Sequence, residues 1–152
     1  MRSKKMIIII LLLIGLVALV GVSWYVSTKD SGDGSTSSKN GSAVEQKEAK
    51  ELALSLIDTI NSRDDQSGYD KFSDEFKSVM TYEGWQLWNE SYRKYDITID
   101  KSSIKFIKTD STSQLNRFSA KAPVDDDSIK IFIDTINEEN SWKVNDVTSS
   151  VN

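Results

Sequence analysis

The segment Ser128–Ile136 (SIKIFIDTI) indicates the fold more clearly than any other stretch of the 152-residue chain. One face of it carries Ile129, Ile131 and Ile133, and the other carries Lys130, Phe132 and Asp134. A period of two is that of a β-strand, in which successive side chains point to opposite faces of the sheet. The segment therefore predicts a strand with its isoleucines against a core and its other face toward solvent.

Similar alternation on either side of this segment predicts further strands. The candidates are Ile97 with Ile99, Ser102–Thr109, Leu115–Ala122 and Ser141–Val147. The polar sequence Asn137–Asn140 predicts a hairpin turn between the last two strands. Pro123 and the acidic run Asp125–Asp127 indicate a loop before the isoleucine-rich strand. Together these patterns predict an antiparallel meander.

A helical pattern precedes the strands. Ser42–Glu45 matches a capping box, a sequence that commonly starts a helix. Apolar residues then recur at steps of three and four, at Ala49, Leu52, Ala53, Leu56, Ile57 and Ile60. This spacing predicts an amphipathic helix that ends near Asn61 and packs its stripe on the core. A seam for a partner helix is the alternative, but the stripe is shorter than three heptads.

A break at Asn61–Gly68 separates this helix from two shorter apolar patterns. The first consists of Tyr69, Phe72, Phe76, Val79 and Met80, and the second of Trp85, Trp88, Tyr92 and Tyr95. Steps of three and four residues predict a helix for each pattern. Aromatic residues at this spacing are typical of core anchors, but they also line ligand cavities. Trp85, Trp88 and Tyr92 are therefore the candidate ligand-binding residues.

Helices followed by strands predict an α+β fold. We expect residues 43–152 to form two to three helices, packed on one face of a curved antiparallel sheet of about four strands. The other face of such a sheet is in contact with water.

The N-terminal segment Met6–Val26 contains 21 residues without a charge. As a helix it would reach about 30 Å, which is the thickness of the hydrocarbon core of a bilayer. Three of the five residues before it are basic, and the positive-inside rule places such residues in the cytoplasm. We therefore predict a cytoplasmic N-terminus at residues 1–5, an uncleaved transmembrane signal anchor at residues 6–26, and a location in the cell membrane.

Residues 27–42 (STKDSGDGSTSSKNGS) carry no apolar side chain that could pack on a core. Such a composition predicts a flexible linker. Residues 43–152 then form a domain outside the cell. A cleaved secretory signal is the alternative, because Gly21 and Ser23 are small residues at the spacing of a cleavage site.

Composition excludes several kinds of chemistry. The chain contains no histidine and no cysteine, which rules out disulfides, thiolate nucleophiles, imidazole bases and Cys- or His-based metal sites. Residues 43–152 hold 14 basic and 21 acidic residues, a net charge of −7. Nucleic-acid-binding domains are typically basic, so we expect no nucleic-acid partner.

Charged clusters have mainly solvated interpretations. The acidic clusters are Asp64–Asp65, Asp125–Asp127 and Glu138–Glu139, and all three fall in predicted loops or turns. We expect no catalytic residue among them, and a weak divalent-cation site at the second cluster is the alternative. The basic residues of the strands are Lys101, Lys105, Lys108, Arg117, Lys121 and Lys130. They are typical of a solvent face or a protected edge, and contact with wall polymer or anionic lipid is the alternative.

Two stretches resemble a known family. Tyr69–Trp88 (YDKFSDEFKSVMTYEGWQLW) and Trp142–Val147 (WKVNDV) are similar to small bacterial extracytoplasmic domains of the nuclear transport factor two-like (cystatin-cone) superfamily. The resemblance covers roughly residues 44–149 and implies a cone-like fold. Enzymes of that superfamily place acid–base residues, often Asp with His, inside the cone. Because this chain has no histidine, no catalytic residue is carried over.

These observations predict a single-pass membrane protein whose outer domain binds or scaffolds envelope proteins without catalysis. Its architecture also resembles the bitopic assembly subunit of type IV secretion and conjugation channels. That alternative implies secretion-complex proteins and copies of the same chain as partners. A small-molecule-binding cone domain is the second alternative. We expect no cofactor and no metal site.

Overall fold

The computed structural model describes residues 43–110, 114–124 and 127–151 of the chain. The helices are α1 (Ala43–Ser62), α2 (Asp65–Tyr69), α3 (Asp74–Val79) and α4 (Tyr82–Lys94), and the strands are β1 (Asp100–Asp110), β2 (Leu115–Val124), β3 (Asp127–Glu138) and β4 (Ser141–Val151). The predicted α+β class with helices on a curved antiparallel sheet is confirmed. The predicted membrane anchor and linker lie outside the described residues. Among the helices that are described, none is both long and apolar enough to cross a bilayer.

The sheet is the predicted meander, with its strands in the order β1-β2-β3-β4 and every neighbouring pair antiparallel. The hairpin between β3 and β4 turns at Glu139 and Asn140, whose φ angles are 50° and 65°. Two consecutive left-handed residues match the twist of the flanking strands, which is why such two-residue turns are favoured in hairpins. The turn predicted at Asn137–Asn140 is thus confirmed.

Helix α1 lies on one face of the sheet. The residues of its predicted stripe are buried, with Ala49, Ala53, Leu56 and Ile57 fully inaccessible, except for Leu52, which is partly buried against the core. They belong to one core cluster with the isoleucines of β3 and with Phe118 of β2. Burial of apolar surface at about 25 cal/mol per Å² is the main term that stabilises this layer on the sheet.

The helical region differs from the sequence prediction in two places. Helix α2 begins inside the predicted break, because the Asp64 carboxylate caps it by accepting a hydrogen bond from the Ser67 amide at 3.1 Å. The stripe from Tyr69 to Met80 is not one helix, because Ser73 begins a separate short helix, α3. Four helices therefore replace the expected two to three, and two of them span only five and six residues.

The strand predicted at Ile97 and Ile99 is also wrong, since β1 starts at Asp100. The side-chain amide of Asn61, near the end of α1, explains the difference. Its nitrogen donates to the Ile99 carbonyl and its oxygen accepts from the Ile99 amide, both at 2.9 Å. The Asn61 side chain thereby makes the hydrogen bonds with the Ile99 backbone that a neighbouring strand would otherwise make.

A short segment joins the helices to the last strand. Phe72 forms an isolated parallel bridge with Val144. The Ser73 amide donates to the Val144 carbonyl, and the Val144 amide donates to the Lys71 carbonyl, each at 2.8 Å. The Ser73 hydroxyl lies 3.0 Å from the Asn145 side-chain oxygen. These bonds occupy part of the outer edge of β4.

Candidate functional site

The strand register separates the two faces of the sheet. Ala120 lies opposite Ile131, and both are buried under the helices. The neighbouring pair, Ser119 with Phe132, points to the opposite face, because side chains alternate along each strand. The four described helices pack on the first face, so the second face is the candidate binding surface.

Four lysines lie on this open face along β1, β2 and β3, and we call them the lysine face: Lys105, Lys108, Lys121 and Lys130. Lys105 lies opposite Ser119, and Lys121 lies opposite Lys130. The Lys130 ammonium is 5.6 Å from the centre of the Phe132 ring. Among the described residues, none of the four lysines has a carboxylate within 4.0 Å.

Asp100 lies opposite Lys121 in the register of β1 and β2. Its carboxylate is engaged locally, because it accepts hydrogen bonds from the amide and the hydroxyl of Ser102 at 2.9 and 2.7 Å. Those bonds lower the pKa of Asp100. Among the residues that the structure describes, no ion pair therefore neutralises the lysine charges.

An arginine and a buried carboxylate lie beside the lysine face. The guanidinium of Arg117 on β2 donates two hydrogen bonds to Asp134 on β3, at 2.7 and 2.5 Å. The Asp134 side chain is only 6% exposed, whereas that of Arg117 is 39% exposed. A bidentate pair of this kind fixes both partners in one orientation. The guanidinium also lies 5.9 Å from the centre of the Phe132 ring.

A second carboxylate completes this cluster. Asp146 on β4 lies directly opposite Asp134. Burial raises the pKa of Asp146 to about 6, and the negative charge of Asp134 adds to the increase. The Val147 amide and Arg117 oppose it only in part. The cluster can thus take up a proton near pH 6. It offers no nucleophile, and no group of three carboxylates that could hold a metal occurs among the described residues.

The helix layer has the opposite electrostatic character. Residues 43–99, which include all four described helices, hold 12 acidic and 7 basic residues, a net charge of −5. The open face of the sheet therefore presents lysines without an ion pair among the described residues, while the helical part of the domain is acidic.

The predicted ligand-binding aromatics lie in the core. Trp85 is 1% exposed, Trp88 8% and Tyr92 3%. The two tryptophan rings stack at 5.2 Å, and the Trp88 and Tyr92 rings are 4.4 Å apart. Burial raises the pKa of Tyr92, whose hydroxyl is hydrogen-bonded to Ser149. Their ring contacts include one another and Phe72, which lies 4.8 Å from Trp85. Their role in ligand binding stays a prediction.

A polar cluster between α2 and α4 corrects the solvated interpretation of Asp65. Its carboxylate pairs with Arg93 and accepts a 2.8 Å hydrogen bond from the Asn89 amide, and its backbone carbonyl accepts from the Trp85 indole at 3.1 Å. Buried atoms without a partner remain at Asn89 (Oδ1) and Arg93 (Nε). Because Asp65 joins two helices through three residues of α4, we interpret this cluster as structural. Asp64, by contrast, is exposed as predicted.

The sequence prediction missed the cluster of Arg117, Asp134 and Asp146. Strict alternation from buried Val144 would place Asp146 toward the core, but a register shift between β3 and β4 at this point moves it to the open face. The usable signal was the spacing of three between Val144 and Val147, both of which are buried. Two inward residues three apart within one strand indicate a bulge.

No protein-family model matches this chain, and no curated protein is significantly similar to it. The function therefore has to be inferred from the chemistry of the two faces.

Proposed function

We propose that this chain is a single-pass membrane protein that displays residues 43–152 outside the cell as a binding and scaffold domain without catalysis. The open face of the sheet is its binding surface. One observation carries this proposal: four lysines and a half-buried aromatic ring, Phe132, share a face of the sheet that the described helices leave uncovered, and no ion pair of these lysines is found among the described residues.

The chemistry of the nearby carboxylates supports binding rather than catalysis. Asp134 is held by Arg117 in a bidentate pair, which is a structural arrangement. Asp146 titrates near pH 6, but no serine, threonine or lysine nucleophile is part of the cluster. The order of helices followed by a four-stranded meander also supports the resemblance to cone-fold extracytoplasmic domains.

The location is tested by protease treatment of intact cells that express the full chain. We expect cleavage in residues 27–42 and release of a fragment containing residues 43–152. After alkaline washing, the N-terminal fragment should stay with the membrane. A domain protected in intact cells, or a mature chain that starts at Trp24 in the medium, would contradict the proposal.

The second candidate function is an assembly subunit of a secretion or conjugation channel. The observation that favours it is the edge strand β1, on which Phe106 is 40% and Ile107 is 45% exposed. Exposed apolar residues on a sheet edge favour pairing with another chain. Cross-linking of the full chain in membranes tests this candidate. It predicts oligomers that Phe106→Ser weakens and that Val79→Ser, a change at another exposed apolar residue, leaves intact.

A further inference from the structure

We infer that the lysine face docks on an anionic lipid surface, namely that of the membrane in which the chain is anchored. The inference rests on the proposed function, because it takes the anchor at residues 6–26 and the linker at residues 27–42 as given. It adds an orientation: the sheet faces the lipid headgroups, and the acidic helix layer faces away from them.

The shape of the lysine face suits a planar partner. Its residues lie on three adjacent strands, with Lys105 and Lys108 on β1, Lys121 on β2 and Lys130 on β3. From the strand spacing and the rise per residue, their Cα atoms fall within an area of about 10 by 14 Å. A sheet face of this kind can bring all four ammonium groups to one surface at the same time.

The residue type also favours a lipid surface over a shaped binding pocket. Lysine is a compact charge on a flexible stem, whereas arginine is suited to bidentate recognition of individual phosphates and carboxylates. The arginine of this face is engaged with Asp134, whereas the four cations of the face for which the described residues offer no ion pair are all lysines. Flexible point charges are sufficient for a diffuse anionic surface, which clusters of basic residues commonly recognise.

The linker and the charge distribution supply the remaining arguments. If residues 27–42 form the flexible linker that their composition predicts, its 16 residues would have a root-mean-square span of about 20–24 Å, which would keep the domain close to the bilayer. An anionic surface repels the helix layer, whose net charge is −5, and attracts the lysine face. Ile107, the residue of the β1 bulge without a register partner, is 45% exposed between Phe106 and Lys108. An apolar residue among lysines is typical of membrane-surface contacts.

The expected strength is measurable. Each lysine near an anionic membrane contributes about fivefold to the docking equilibrium, so four of them contribute several hundredfold. Salt weakens this attraction, because the Debye length shortens as ionic strength rises.

The experiment uses the full chain reconstituted in vesicles of phosphatidylcholine, with and without phosphatidylglycerol. The chain contains no cysteine, so Thr148→Cys on the open face and Gln86→Cys on exposed α4 each provide a single labelling position. A fluorophore at each position is quenched by lipids that carry a spin label on the headgroup. We expect strong quenching at position 148 and little at position 86, only with phosphatidylglycerol, and less as salt is added.

Two variants, each of which removes four positive charges, distinguish docking through the lysine face from a nonspecific effect of net charge. The first changes all four residues of the lysine face to glutamine and should abolish the quenching at position 148. The second changes Lys47, Lys50, Lys71 and Lys94 of the helical region to glutamine and should retain it. Equal quenching by both lipid mixtures, or retained quenching in the first variant, would overturn the inference.

Three further outcomes are distinguishable. A chain that floats with the vesicles but shows no quenching overturns the docking alone and leaves the membrane anchor intact. A chain that does not float overturns the anchor, and the docking with it. Quenching that depends on the protein-to-lipid ratio would assign the lysine face to contact with a second copy of the chain. Binding of soluble poly(glycerol phosphate) without quenching on vesicles would assign the lysine face to an anionic polymer.

Discussion

Ile131 and Phe132 are adjacent in β3, yet they belong to the two different surfaces of the sheet. Ile131 is completely buried beneath the helices, whereas Phe132 lies on the open face among lysines and Arg117. The covered face supplies the apolar burial that holds the fold, whereas the open face carries, beside the Arg117–Asp134 pair, lysines that form no ion pair among the described residues. Function can therefore be altered on one face of this sheet with little effect on the other.

The largest effect should come from the covered face. Trp85→Ala removes a ring that is 1% exposed and contacts Phe72 and Trp88, so we expect the free energy of unfolding to fall by about 3–5 kcal/mol. Urea unfolding of the full chain in detergent micelles, followed by circular dichroism, measures this. Leu87→Ala, at a residue 63% exposed on the same helix, is the control and should change little. Similar losses for both would contradict the assigned core.

The next effect is expected at the charged cluster. Arg117→Met leaves Asp134 buried without its partner and opposite a second carboxylate, so we expect a loss of about 1–3 kcal/mol at pH 7. The loss should shrink at pH 5, where Asp146 is protonated. Lys121→Met, on the same strand and face, is the control and should stay within about 0.5 kcal/mol. The same urea titration at both pH values measures the loss of stability. A loss that is independent of pH would contradict the coupling of Asp134 to Asp146.

Asp146→Asn should increase the free energy of unfolding, in contrast to the two substitutions above. The folded protein holds the proton of Asp146 up to about pH 6, whereas the ordinary pKa is 3.8, so the wild-type chain loses stability as pH rises through this interval. The substitution removes the penalty, and we expect a gain of about 1–3 kcal/mol at pH 7 and almost none below pH 4. Thermal unfolding across this range measures the gain. The exposed Asp127→Asn is the control, and an equal gain there would refute the role of burial.

A smaller effect is expected where the helices meet β4. Ser73→Ala removes the cap that accepts a hydrogen bond from the Phe76 amide at 3.0 Å, together with the contact to Asn145. We expect a loss of about 1–2 kcal/mol, against about 1 kcal/mol for Thr81→Ala, which removes a cap alone. Denaturant midpoints of the two variants test the difference. Equal losses would mean that the Asn145 contact contributes nothing.

The smallest effect on stability should come from the lysine face itself. Each change from lysine to glutamine at these positions is expected to alter the free energy of unfolding by less than about 0.5 kcal/mol. The fourfold variant should therefore unfold at nearly the wild-type denaturant concentration while losing its docking. A large loss of stability would show that the two faces are not independent.

Much of the covered face could be predicted from the sequence, because apolar periodicity reports directly on burial. Ile129, Ile131 and Ile133 of β3 and the stripe from Ala49 to Ile60 are in the core as predicted, apart from Leu52, which is only partly buried. The helix boundaries around Asp64 and Ser73 were missed, since a single capping side chain outweighs the apolar spacing on either side of it. Local hydrogen bonds of this kind do not change the pattern that periodicity detects.

The candidate site was less predictable, because it depends on register. The lysines of the strands were recognised as a group, but the contact of Arg117 with Asp134 requires knowing which residues of β2 and β3 lie opposite each other. Asp146 joins them only through the register shift in β4. Neither composition nor spacing within one strand specifies a pairing between strands.

The bridge between Phe72 and Val144 has a consequence for biosynthesis. The helical half of the domain is made first, but its partner on the sheet edge is made only after β1, β2 and β3. Val144 and Val147 also complete the core, so the early helices cannot find their final packing until β4 has been made. Truncation of only β4 should accordingly yield a chain that stays unfolded and is degraded, rather than a slightly smaller folded product.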